Sequence, residues 1–182
     1  MLLFPKICPN CILFMKLSIF KANIRESRVP LVKAFVFSTL IIIFSLICAA
    51  LISSLETRYN IIHLKTPLNI GLGIMLLCLG FLFRVSGSFL FYKKHIEVIH
   101  LNPQWVLIQS GVYSFTRNPL YIGLVLIALG SGLVFGSLIT VVCSLFFAVF
   151  WHMYVVNLEE PRLEKLFGVS YREYKAKIPR WL

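Results

Sequence analysis

The third apolar stretch of this chain, residues 119–157, is too long for one membrane crossing and too apolar to lie in water. A bilayer core of about 30 Å takes about 20 helical residues, so this stretch predicts two helices joined by a reversal. Glycine tolerates a tight bend and serine caps a helix start, which places the reversal near Val134 to Ser137. Pro119 suits the first turn of the first arm, where its missing N–H has no helical partner to lose. Residues 34–54 and 68–92 each match a single crossing. With 59% hydrophobic residues among 182, well above a soluble domain, the chain reads as an all-α, polytopic integral membrane protein. It has about four transmembrane helices, at 34–54, 68–92, 119–133 and 138–157, the last two forming a C-terminal helical hairpin.

The formal net charge is +11, and its placement says more than its sum. Six of the 18 Lys and Arg residues lie in residues 1–33, three in the 93–118 loop and six from 162 onward. The other connecting segments hold only Arg58 and Lys65. Basic residues accumulate on the cytoplasmic side, so both termini are expected there, together with the polar segments around residues 111–123 and 159–174. Attraction to anionic lipid accounts for the rest of this charge. Spread over three membrane-flanking segments, the basic residues form no nucleic-acid module, so no nucleic-acid partner is expected.

Residues 1–33 are interrupted by Pro5, Lys6, Pro9 and Lys16 and are expected to be interfacial or flexible rather than membrane-spanning. They also match a cleaved signal peptide poorly, for want of an apolar core ending in small residues. Cys8 and Cys11 have redox or zinc spacing, but no second pair accompanies them, and reduced cysteines in a cytosolic segment are the plainer reading. No metal site is expected. The chain contains no aspartate, which argues against carboxylate-rich magnesium chemistry.

Two polar clusters carry the chemistry. Arg117-Asn-Pro-Leu-Tyr121 lies where a loop enters a membrane helix and offers a fixed cation, an amide and a ring with a polar tip. The same residues also suit an ordinary membrane interface. Glu159 and Glu160 are expected at the end of a membrane helix, where the macrodipole disfavours anions, so a cationic partner is expected: Arg117, Arg162 or a cationic ligand. Pro161 then starts a short helix that Gly168 ends, and Ser170 to Glu173 reads as a capping box opening another, giving cytosolic helices over residues 161–178. Tyr171, Tyr174 and Ile178 share a face of the last helix, as a membrane anchor or at the mouth of a pocket. His152 lies two turns before Glu159 and reads as packed or interfacial, and Arg84 sits inside a span, facing a cavity or snorkelling outward.

In these residues the chain resembles the isoprenylcysteine carboxyl methyltransferase family, membrane methyltransferases related to the phospholipid N-methyltransferases. The resemblance covers about residues 105–180 and rests on three elements in order. These are Ser110-Gly-Val-Tyr113 with Arg117-Asn-Pro-Leu-Tyr-Ile-Gly123, the helical hairpin, and Glu159-Glu160 followed by Leu166-Phe-Gly-Val-Ser-Tyr-Arg-Glu-Tyr174 and Ile178-Pro-Arg180. It implies that residues 34–182 form a membrane methyltransferase domain using S-adenosylmethionine. Cofactor-binding roles are implied for Trp105, Val106, Leu107, Ile108, Tyr113, Asn118, Pro119, Leu120, Tyr121 and Glu159, with Glu160 and Arg180 as catalytic candidates. Asn118 stands where the family often has histidine, and Val155 where eukaryotic members carry an arginine that contacts substrate.

The function implied is methyl transfer to a lipophilic or membrane-bound acceptor, the carboxylate of an isoprenylcysteine-like molecule or another lipid, so the partners are a lipid or prenylated substrate and the membrane. A phospholipid amine is the alternative acceptor. A non-catalytic membrane scaffold and an NADPH-dependent sterol-type reductase are alternatives of other classes.

Overall fold

The computed structural model describes residues 9–61, 63–93 and 106–182, with side chains from residue 31 onward. Cys8, Trp105 and the side chain of Cys11 lie outside the described residues. Among the described residues six α-helices follow one another: α1 (Pro9–Arg58), α2 (Pro67–Lys93), α3 (Pro119–Phe135), α4 (Leu138–Tyr154), α5 (Glu160–Phe167) and α6 (Val169–Lys177). A 3-10 turn spans Gly111–Ser114 and a π-helical turn spans Val155–Glu159. The fold is all-α, as the sequence led us to expect. Leu31–Arg58, Pro67–Lys93 and the continuous Leu138–Phe167 are long and apolar enough to cross a membrane. With 17 residues, α3 stands at the lower end of the 17–25 that a bilayer core requires.

Polarity is distributed as lipid dictates. Phe44 and Phe146 are each 70% exposed, whereas Ser38, Ser88 and Ser131 are fully buried. Apolar burial does not drive helices together when the solvent is itself apolar, so close packing of small residues does the work. Gly73 of α2 faces Gly130 of α3, and Gly80 faces Gly123; a Cβ on Gly73 or Gly80 would meet the opposing carbonyl oxygen at 2.8 Å. The pairing runs up one helix and down the other, so α2 and α3 are antiparallel.

The hairpin reversal falls where glycine and serine allow it. Gly136 takes φ +66° to end α3, and a Cβ there would strike Lys65 at 2.7 Å. Ser137 caps α4 by accepting from the Thr140 N–H at 3.1 Å. The fully buried Glu56 of α1 accepts from the Ile139 N–H at 2.7 Å, an anion against a helix N-terminus. Leu64 N–H donates to the Gly136 carbonyl at 2.9 Å, so the α1–α2 and α3–α4 connections share one end of the bundle. The two polar clusters share the other.

At that other end two expectations need correction. The helix that begins at Leu138 does not end before Glu159 and Glu160 but runs on through the π turn. Proline in an unbroken α-helix clashes with the carbonyl four residues back. The wider turn, closed by Glu160 N–H on the Val155 carbonyl, precedes Pro161 directly. Glu160 therefore stands in the first turn of α5, where the helix dipole favours an anion. Secondly, α6 opens on Gly168 at φ +53° rather than on a Ser170 capping box; Arg172 N–H reaches the Gly168 carbonyl at 3.2 Å, and no side chain caps the helix.

Candidate functional site

The C-terminal tail is bound tightly to the loop that enters α3. Arg117 donates from Nε to the Ile178 carbonyl and from its backbone N–H to the Pro179 carbonyl, both at 3.0 Å. Thr116 Oγ1 and Asn118 Nδ2 both donate to the Arg180 carbonyl, at 3.0 and 3.1 Å. Arg117 Nη1 reaches the Tyr171 hydroxyl at 3.1 Å, and the Tyr174 hydroxyl donates to the Tyr113 carbonyl at 2.6 Å. Tyr171, Tyr174 and Ile178 thus hold the last helix to the loop instead of lying on a membrane surface.

Glu160 is the centre of this assembly. Its buried carboxylate receives Arg180 Nε at 2.6 Å and Nη2 at 3.1 Å, Arg117 Nη1 at 3.0 Å and Lys175 Nζ at 3.3 Å. The bidentate arginine fork is the strongest geometry a carboxylate accepts. The hydrogen bond to Glu160 raises the Arg180 pKa. Burial, then the charge of Glu160, raises that of the Tyr171 hydroxyl, and burial pushes the Tyr174 hydroxyl up to about 12.

Glu159 has the opposite surroundings. Its Oε2 accepts from the Tyr121 hydroxyl at 2.7 Å, and among the described residues no Lys, Arg or His is paired with it. The cation expected for the glutamate pair is therefore found as an ion pair for Glu160, with Arg117, whereas Arg162 acts on Glu159 without forming one. Glu159 and Tyr121 open onto a cavity of about 730 Å³, inside the range of about 300–1,000 Å³ typical of cofactor and small-molecule sites. Phe37 and Ile41 of α1 line one wall, Arg84 and Phe91 of α2 another, and Leu120, Tyr121 and Leu124 of α3 a third. Trp151 and Tyr154 of α4 and Leu158, Arg162, Leu163 and Leu166 close it. Tyr113 is buried in the same lining, and burial together with the nearby Glu159 charge keeps its hydroxyl well above the ordinary pKa.

Of the residues singled out in the sequence, Tyr113, Asn118, Pro119, Leu120, Tyr121 and Glu159 come together on this cavity. Val106, Leu107 and Ile108 are not part of its lining, with Val106 exposed and Ile108 buried elsewhere. Glu160 and Arg180 face the tail. His152 is exposed and accepts from Trp181 Nε1 at 3.0 Å, outside the cavity. Arg84 faces the cavity: its Nη1 lies 3.4 Å from the Leu120 carbonyl, its guanidinium stands 5.5 Å over Phe37, and its Nε has no partner. Arg162, a cation the sequence offered for the glutamate pair, lines the cavity, whereas sequence reasoning missed Trp151 and Tyr154. Their only signal was position, since Trp151 and Tyr154 lie one turn apart on the helix that carries Glu159.

Fold and cavity define a membrane-embedded helical protein with a cavity lined by both polar and apolar side chains. A family model described as phospholipid methyltransferase matches residues 68–170, more than half of the chain. The chain belongs to the phospholipid methyltransferase family. It is 32% identical over 107 residues to the protein-S-isoprenylcysteine O-methyltransferase of Schizosaccharomyces pombe, covering 57% of this chain and 44% of that protein. The Saccharomyces cerevisiae protein of the same name is 32% identical over 87 residues, covering 47% of this chain and 36% of its own length. A probable protein-S-isoprenylcysteine O-methyltransferase of Oryza sativa subsp. indica is 33% identical over 86 residues, 46% of this chain and 44% of that protein. The chain thus spans less than half the length of these relatives.

Proposed function

We propose that this protein transfers a methyl group from S-adenosylmethionine to a lipophilic, membrane-held acceptor. The observation that carries the reading is Glu159, a carboxylate on the cavity with a tyrosine hydroxyl as partner and no ion pair among the described residues. Such a group fits a positively charged ligand. The remaining lining fits the rest of the cofactor: Asn118 and Tyr113 are polar, and Tyr121, Trp151 and the leucines offer apolar and aromatic surface. When bound, S-adenosylmethionine supplies an electrophilic methyl group on a sulfonium centre. The protein's own contribution is positioning and water exclusion, since methyl transfer needs an in-line approach more than acid or base help. Tyr121 fixes the direction of the Glu159 carboxylate. We assign Glu160 and Arg180 to holding the tail against the loop, and so to fixing Asn118 and Tyr121.

The acceptor that fits best is a carboxylate, as the names of the relatives suggest for those proteins. Arg84 is a cation on the cavity without a carboxylate partner among the described residues. An anionic acceptor already carries its nucleophilic lone pair, whereas an amine must lose a proton first. The family description supports a phospholipid amine as the second reading. We place the cavity mouth and both termini on the cytoplasmic side, so that a soluble donor and a lipid acceptor meet there.

The test incubates the purified protein with labelled S-adenosylmethionine and either a farnesylated cysteine or phosphatidylethanolamine. Label in a base-labile ester of the first supports the reading; label in the amine supports the second; no transfer to either, with no donor binding, overturns both. Glu159→Gln should weaken donor binding about tenfold or more, the worth of a charged contact.

A further inference from the structure

We propose that Tyr121, Trp151 and Tyr154 form, with Glu159, an onium-recognition wall that makes the site discriminate by ligand charge. The inference rests on the methyltransfer reading and adds two residues, Trp151 and Tyr154, to it. The Trp151 ring stacks on Tyr121 with centroids 4.4 Å apart and planes 27° apart, and Tyr154 stands edge-on to Trp151 at 5.4 Å. All three line the cavity beside Glu159. Phe147 and Phe150 pack against Trp151 in T-shaped contacts with centroids 5.6 and 5.4 Å away, so its ring is held without a ligand. Among the described residues no Lys or Arg stands over these rings; the arginine found over a ring is Arg84 on Phe37.

Aromatic faces and a carboxylate together attract a diffuse positive charge without demanding a hydrogen-bond donor, the chemistry that sulfonium and quaternary ammonium groups share. Neutral ligands gain nothing from it. In a methyl transfer the donor enters as a sulfonium cation and leaves as a neutral thioether. A wall that reads charge therefore holds the substrate and releases the product. The same chemistry would also receive a methylated ammonium headgroup, and the two sources can be separated.

Binding of S-adenosylmethionine, its neutral product S-adenosylhomocysteine and phosphocholine is measured on the intact protein and on Trp151→Leu, Trp151→Phe and Tyr154→Leu. Trp151→Leu is expected to weaken S-adenosylmethionine about tenfold, Tyr154→Leu about threefold, and Trp151→Phe least, with S-adenosylhomocysteine nearly unchanged. Equal losses for the charged and neutral ligands, or no loss in a folded variant, overturn the wall. If phosphocholine competes with S-adenosylmethionine and loses affinity in Trp151→Leu, the wall also receives a quaternary ammonium headgroup, the fully methylated product of an amine acceptor, and the wall stands. If the intact protein binds neither S-adenosyl compound, the methyltransfer reading fails. The wall then stands or falls on phosphocholine binding alone.

Discussion

Glu159 and Glu160 are neighbours in the chain with opposite environments, and the difference assigns them different work. Glu160 holds three cations, one of them the buried Arg117, whose side chain is 7% exposed. Removing one partner of a buried pair leaves the other charge uncompensated, which costs about 3–5 kcal/mol. Glu160→Ala should therefore lower thermal stability in detergent strongly and loosen the tail, which limited proteolysis after Lys175 or Lys177 would report. Unchanged melting and unchanged cleavage would refute that role. Tyr174 gives a pH signature of the same docking. Burial raises its hydroxyl from an ordinary value near 10 to about 12. A raised acid favours the folded state while protonated, so its contribution is complete below about pH 10 and lost as pH rises through about 12. Tyr174→Phe should remove that step from the alkaline stability profile, and a step that persists would assign it to another group. The residue types of this site were legible in the sequence because glutamates are rare in this chain. Their partners were not, because Arg180 and Glu160 meet only after α5 and α6 fold back.

Among the elements, the α2–α3 pair carries the weight, because the site hangs from it. Gly80 and Gly123 bring the two backbones together, and a Cβ on Gly123 would also strike the Arg84 side chain at 2.7 Å. The same glycine that permits helix contact thus opens the path of Arg84 toward the cavity. Gly80→Leu would wedge the helices apart, at about 1–3 kcal/mol for an overpacked contact. We expect a lower melting temperature and weaker donor binding together, whereas the exposed Gly71→Leu, with nothing within 4 Å of its Cβ, should leave both unchanged. Equal effects at the two positions would refute the packing argument. The hairpin turn was readable from Gly136 and Ser137, since one permits positive φ and the other caps. The π turn was not. Pro161 marked a change in the helix, but a proline fits a stop, a kink or a wider turn equally well, and only the neighbouring Glu160 N–H bonding to Val155 decides among them.

At the scale of the molecule, the loops at one end of the bundle and the clamped tail at the other give the protein two unlike faces. Hydrogen bonds through Glu56, Gly136 and Ser137 tie one end together, while the other holds Glu159, Arg162 and the six basic residues of the tail. Because Lys and Arg are retained on the cytoplasmic side, we propose that the cavity mouth faces the cytosol, the side from which a soluble charged donor would enter. The orientation is checked with single cysteines in a background lacking the native five. Cysteine at exposed Ser170 should react with an impermeant maleimide from the cytoplasmic side of sealed vesicles, and cysteine at Tyr59, 73% exposed beyond α1, from the opposite side. The reverse pattern would put the mouth where no soluble cofactor pool exists, and the proposed donor would then have no route to Glu159. Sidedness, more than any single contact, therefore decides whether this cavity can be a methyl-transfer site.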